Sequence, residues 1–85
     1  MRYEIEITSA AQRDLRSLPR DVLRRVDAKI LGLAVDPRPP DSRLLRGQER
    51  LYRVRVGNYR IIYRVEDDRM VVLVVRVRHR REVYR

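Results

Sequence analysis

The sequence predicts an α+β fold: two N-terminal helices packed on one face of an antiparallel β-sheet of about four strands, in the order β-α-α-β-β-β. Three observations carry this expectation. The first residues alternate apolar and polar, then give way to a helical apolar period that lasts to about residue 35. From Arg50 onward the two-residue period returns. Inside that stretch Gly57-Asn58 separates two alternating runs, as a tight hairpin turn does. With 85 residues the chain has room for a single domain, residues 1–85, and one modest core.

Tyr3, Ile5 and Ile7 alternate with Arg2, Glu4 and Glu6, the signature of a half-buried strand. Ser9 and Gln12 have capping-box spacing, so a helix is expected to begin near Ala10, with Ala11, Leu15 and Leu18 on one face. Pro19 interrupts it and suits the first turn of a second helix, whose stripe is Val22, Val26, Ile30 and Leu33. Asp36-Pro37 stops that helix, and Pro39 and Pro40 continue a loop. Residues 44–49 carry no clear signal. Arg50–Val56 and Tyr59–Val65 read as a hairpin, and Glu66-Asp67-Asp68-Arg69 as a second turn. Met70–Arg78 is rich in β-branched residues. Its first six do not alternate, which marks a central strand buried on both faces.

Charge is the strongest compositional signal. The chain holds 21 Lys and Arg against 12 Asp and Glu, net +9, and Lys29 is the only lysine. Residues 1–49 carry net +2 and residues 50–85 net +7. A basic block of this kind fits a polyanionic partner, nucleic acid or an acidic protein. Codon bias also enriches arginine, so placement must decide. If Gly57-Asn58 is a two-residue turn, Val56 pairs with Tyr59, Arg55 with Arg60, Val54 with Ile61 and Arg53 with Ile62. Tyr52, Val54, Val56, Tyr59, Ile61 and Tyr63 then share an apolar face. Arg53, Arg55, Arg60 and Arg64 share the other, with Arg55 directly across from Arg60. A solvated strand face ordinarily mixes both signs. A single-sign face of forked donors suits phosphate oxygens.

The other function classes are narrowed by what the sequence lacks. It has no cysteine, hence no disulfide framework, thiol nucleophile or Cys-ligated zinc. One histidine, His79, is no basis for a metal site, and no glycine-rich phosphate loop or Ser-His-acid grouping is present. No cofactor is expected. A reducing cytoplasm suits a small chain without cysteine, and no apolar run or signal-like start points to a membrane. His79 closes the long strand, and its type suits proton transfer. Tyr84, near the end, suits stacking on a base or anchoring the tail.

At these residues the chain resembles the RelE/ParE superfamily of bacterial toxins. The resemblance spans nearly the whole chain. It rests on the opening strand with Ser9-Ala10-Ala11-Gln12-Arg13-Asp14-Leu15, on Leu51 to Arg60, on Ile61-Ile62-Tyr63-Arg64-Val65, and on the ending His79-Arg80-Arg81-Glu82-Val83-Tyr84. The resemblance implies a toxin of a type II toxin–antitoxin pair. Its RelE-like branch cleaves mRNA in the ribosomal A site, where the ribose 2′-OH attacks the adjacent phosphate. Its ParE-like branch acts on DNA gyrase and lacks the nuclease set. A non-catalytic nucleic-acid or protein binder is the third possibility. On the RelE-like reading, Arg53, Arg55 and Arg60 fall on the basic positions of the middle strands, and the acid falls on Arg80 or Arg81. Tyr84 falls on the terminal tyrosine, and Arg64, Arg78 and Arg81 add RNA contacts. This chain departs from the best-known member, which has lysine at the positions of Arg53 and Arg55. A guanidinium does not deprotonate near neutrality, so His79 becomes the alternative proton acceptor. The implied partners are a cognate acidic antitoxin, mRNA and the ribosome, but no membrane. The toxin alone is expected to be a monomer, forming a hetero-oligomer with the antitoxin.

Overall fold

The computed structural model describes residues 2–47 and 50–80. The elements run β1 (Glu4–Ile7), α1 (Ser9–Arg16), α2 (Arg20–Val35), β2 (Arg43–Leu44), β3 (Leu51–Val56), β4 (Tyr59–Glu66) and β5 (Val71–His79). The strands form one sheet in the order β1-β5-β4-β3-β2. The α+β architecture with two N-terminal helices is as expected, and two details differ. Arg43–Leu44 adds a short edge strand, so the sheet has five strands, and β1 pairs parallel with β5 rather than antiparallel. Parallel pairing lets the chain leave β1 at Thr8, beside Val74, and drop straight onto the half of β5 that β1 does not cover.

The helices cover one face of the sheet. Ala11 of α1 and Val26, Ile30 and Leu33 of α2 pack against Val54, Val56, Ile61, Tyr63, Val72, Val74 and Val77. Each fully buried Val, Leu or Ile among them contributes about 1.5–3 kcal/mol. The helical spacing and the strand alternation therefore meet in a single core. The second face of the long strand is less buried than expected: Leu73 and Val75 are only partly covered, although β5 does lie inside the sheet, between β1 and β4.

The cap of α1 is Thr8 rather than Ser9. Its Oγ1 accepts the Ala11 N–H at 3.1 Å and donates to the Val75 carbonyl at 2.8 Å. Thr8 thus serves the helix start and the sheet edge together, which Ser9, one residue inside the helix, cannot do. Past the end of β1 the edge of β5 continues to be sealed by α1. Asp14 Oδ2 accepts the Val77 N–H at 2.9 Å and Arg76 Nε at 2.8 Å, while Oδ1 accepts Arg76 Nη2 at 3.1 Å. An otherwise open strand edge is closed by a helix and a carboxylate.

A register shift in the β4–β5 ladder decides which β5 side chains face which way. Tyr63 pairs with Val74 but Ile62 pairs with Arg76, so Val75 is an extra residue, a bulge. Before it, Val72 and Val74 face the helices. After it, Val77 does, opposite Ile61, and Arg76 and Arg78 turn to the other face. Without the bulge these two arginines would point into the core.

The far end of the sheet is tied to the proline loop. Arg38 lies over the Tyr52 ring at 5.3 Å, donates to Tyr52 Oη at 2.9 Å, and grips Asp67 through two bonds of 2.7 and 3.2 Å. Arg38 and then Tyr3 hold the Asp67 carboxyl down to about 2. Tyr63 Oη donates to the Pro37 carbonyl at 2.7 Å, and burial pushes its phenol up to about 12.

Asp14 should be the acid-sensitive clasp of this fold. Burial raises its pKa, but the hydrogen bonds from Arg76 and Val77, with the charges of Arg76 and Arg78, outweigh burial and lower it overall. A carboxyl depressed in the folded state contributes stability above its unfolded pKa and loses it as pH falls through the folded value. Asp14→Ala is expected to cost about 1–3 kcal/mol in urea melts at neutral pH. It should also flatten the loss of stability below about pH 4. Identical melts at both pH values would contradict this role.

Candidate nucleic-acid interface

The hairpin register is the one the two-residue turn requires: Val56 pairs with Tyr59, Arg55 with Arg60, Val54 with Ile61 and Arg53 with Ile62. Gly57 takes φ +57°, the positive value that the first central position of a type II′ turn needs. With the bulge in β5, this register draws two rows of side chains across the face away from the helices. One row is Arg55, Arg60 and Arg78 on β3, β4 and β5. The next is Arg43, Arg53, Ile62 and Arg76 on β2 through β5. Ile62 is 2% exposed yet stands outside the core under the helices, so this face has a dry centre flanked by arginines.

The charge of the face is graded along the strands. One row further from the turn, Arg64 lies 3.4 Å from Glu66, and Arg69 bridges Glu66 at 2.6 Å and Glu6 at 3.5 Å. Toward Gly57 no acid stands in the two rows among the described residues. Burial, and then the charges of Arg55, Arg60 and Arg43, push the Arg53 guanidinium below its ordinary pKa. Arg60 Nε is buried and, among the described residues, has no hydrogen-bond partner. A buried N–H donor left unmade is costly.

At the turn the face ends in an open cleft of about 170 Å³ lined by Arg55, Gly57, Asn58, Tyr59, Arg60 and Arg80. Arg80 is placed there by its own backbone, whose N–H donates to the Asn58 carbonyl at 2.6 Å. Forked, permanently charged donors around such a cleft can hold a phosphate and stabilise negative charge that grows on it. They cannot act as a base near neutrality.

The structure brings together Arg53, Arg55, Arg60 and Arg78, with Arg80 at the rim. Arg64 belongs to the same face but is engaged by Glu66. Arg76 is held by Asp14. His79, the alternative proton acceptor, stands away from the arginine face. His79 pairs with Tyr59 and packs edge-on against its ring, centroids 5.0 Å apart, on the side opposite Arg60 and Arg78. The bulge at Val75 is the cause, since it reverses the facing of every later residue of β5. Arg81 and Tyr84 lie outside the described residues. Arg43 was missed by sequence reasoning because its strand is too short to show alternation. Only its position opposite Arg53 reveals it.

A face of like charges weakens the sheet that carries it. Arg55→Gln removes the pair directly opposed to Arg60 and should raise stability by roughly 0.2–1 kcal/mol at low ionic strength. The gain should shrink as salt screens the wild-type repulsion. Thermal melts of both proteins across a salt series check this. A variant less stable than wild type at low salt would contradict it.

Comparisons with known proteins identify the family and the fold. The sequence matches the family described as the ParE toxin of type II toxin–antitoxin systems, parDE, over residues 5–84. It is 35% identical to Toxin RelG of Mycobacterium tuberculosis, covering 100% of this chain and 99% of that one. It is 31% identical to mRNA interferase toxin RelE of Escherichia coli K12, covering 99% and 92%. The fold superposes on the archaeal RelE–RelB complex of Pyrococcus horikoshii with a TM-score of 0.85 at 31% identity, covering 98% of this chain and 100% of that one.

Proposed function

We propose a function from one premise: this chain belongs to the ParE-toxin family, the toxins of type II toxin–antitoxin systems. Within that family it resembles the RelE toxins, whose E. coli member is named an mRNA interferase. We infer that this chain is a ribosome-dependent endoribonuclease of the cytoplasm. A cognate antitoxin would hold it inactive, as a partner that is acidic to match the basic face; a RelB chain accompanies RelE in the archaeal complex. The observation that carries the reading is the buried Nε of Arg60, without a hydrogen-bond partner among the described residues, in a single-sign arginine face beside an open cleft.

In this reading Arg53, Arg55 and Arg60 grip the non-bridging oxygens of the scissile phosphate. The ribose 2′-oxygen forms a bond to phosphorus, and the bond from phosphorus to the 5′-oxygen breaks. The products are a 2′,3′-cyclic phosphate and a free 5′-hydroxyl. Negative charge on the equatorial oxygens rises in the transition state, and fixed guanidinium groups stabilise it most there. The 2′-proton passes to water. The guanidinium of Arg80, or of Arg81 in its stead, donates a hydrogen bond to the leaving 5′-oxygen and stays charged, and water supplies the proton that oxygen takes up. Arg64 and Arg78 meet flanking phosphates, and Tyr84 stacks on the substrate base. His79, behind the sheet against Tyr59, positions the strand end from which Arg80 emerges rather than accepting the proton.

Arg60→Ala and Arg80→Ala should each lower translation-dependent cleavage of a reporter mRNA by about 100-fold or more. Their melting should stay close to wild type. Primer extension after brief induction, with translation running or blocked, reads this. Unchanged cleavage in both variants would overturn the site assignment. Growth arrest by the wild type with intact mRNA and trapped gyrase–DNA complexes would move the protein to the gyrase-directed branch.

A further inference from the structure

The turn that ends the arginine face is flanked from the helix side as well. Arg25, exposed on α2, lays its guanidinium over Gly57. A Cβ built on Gly57 would stand 2.8 Å from Arg25 Nη2 and 3.5 Å from its Cζ and Nη1. Glycine is required at this position for its φ of +57°, and the guanidinium tip of Arg25 lies in the space a side chain there would enter. No hydrogen bond or ion pair engages Arg25 among the described residues, although Asp21 lies one helical turn earlier. The Gly57-Asn58 turn thus has Arg55, Arg60 and Arg80 around it in the cleft and Arg25 against Gly57 from α2.

We propose that Arg25 is a further RNA-binding residue, which holds the phosphate next along the strand from the one gripped in the cleft. The inference rests on the RNA-cleaving reading above and extends it. On that reading the cleft residues hold one phosphate. Arg25 approaches Gly57, one of the residues that line the cleft, from α2, so it would meet a neighbouring phosphate of the same strand. An uncompensated guanidinium beside three others raises the energy of the free protein. A polyanion with regularly spaced charges lowers it by releasing counterions at each contact. The turn therefore acts as a ridge over which the RNA backbone bends, gripped on both sides.

The test is binding of a short single-stranded RNA, 2′-O-methylated so that it is not cut, followed by fluorescence anisotropy across a salt series. Arg25→Ala should make the plot of log affinity against log salt shallower by about 0.7, the value of one phosphate contact on a single strand. Arg25→Lys should keep the wild-type slope. Arg69→Ala, which removes an arginine bound to Glu66 and Glu6 at the opposite end of β4, should leave it unchanged. If Arg25→Ala keeps the wild-type slope while Arg60→Ala flattens it, the inference is overturned and the cleft reading stands. If neither flattens it, both fall. Loss of antitoxin binding alone in Arg25→Ala, with RNA binding intact, would also overturn the inference in favour of a protein contact.

Discussion

The two-residue turn at Gly57-Asn58 sets which side of the sheet each residue of β3 and β4 meets, and the rest of the molecule follows from it. Side chains alternate with a period of two, so one residue more in the turn would turn one strand over relative to the other. With β3 held in place, Ile61 and Tyr63 would then leave the helices, and Arg60 would face the core. Neither is tolerable, because the core holds no charged side chain among the described residues. The apolar face is the fold's main source of stability, and it fixes the arginine face as its mirror image.

That arginine face is a liability that packing alone does not explain. Opposed guanidinium groups repel, Arg53 is pushed below its ordinary pKa, and Arg60 carries a buried donor without a partner among the described residues. At the far end of the same sheet the chain shows that it can neutralise arginine, with Glu66, Glu6 and Asp67 engaging Arg64, Arg69 and Arg38. Toward the turn the two rows carry no acid of their own among the described residues, and Asp14 reaches Arg76 from α1. Local strain concentrated at one end of an otherwise satisfied structure is the ordinary signature of a site prepared for a ligand. The Asp14 clasp fits the same division. It takes Arg76 out of the cluster and fixes the strand that delivers Arg78 and Arg80.

Much of this was legible in the residues. The hairpin register came from two independent signals, the turn pair and the alternation on either side of it, and both faces followed. The helical stripes were equally plain, because apolar spacing survives without knowledge of tertiary partners. What escaped lies in non-local geometry. The parallel pairing of β1 with β5 has no signature in a four-residue strand. Thr8 displaced Ser9 as the cap because Thr8 also reaches Val75, sixty-seven positions away. His79 was misplaced because a run of five β-branched and aliphatic residues, Val71–Val75, hides a bulge that alternation would have exposed. Arg43 and Arg25 join the site only through pairing and helix packing, so spacing along the chain cannot find them.

The central claim is that the sheet face prepares a donor set for an RNA phosphate, with Arg60 Nε–H at its centre. The most direct measurement follows the arginine Nε–H resonances by nitrogen-15 NMR while a non-cleavable single-stranded RNA is titrated into the protein. The account predicts that the Arg60 signal moves downfield as a strong hydrogen bond to a phosphate oxygen forms, together with Arg53 and Arg55. Arg38 and Arg69, already bound to carboxylates, should stay in place. Binding that shifts surface arginines while leaving Arg60 unmoved would contradict it.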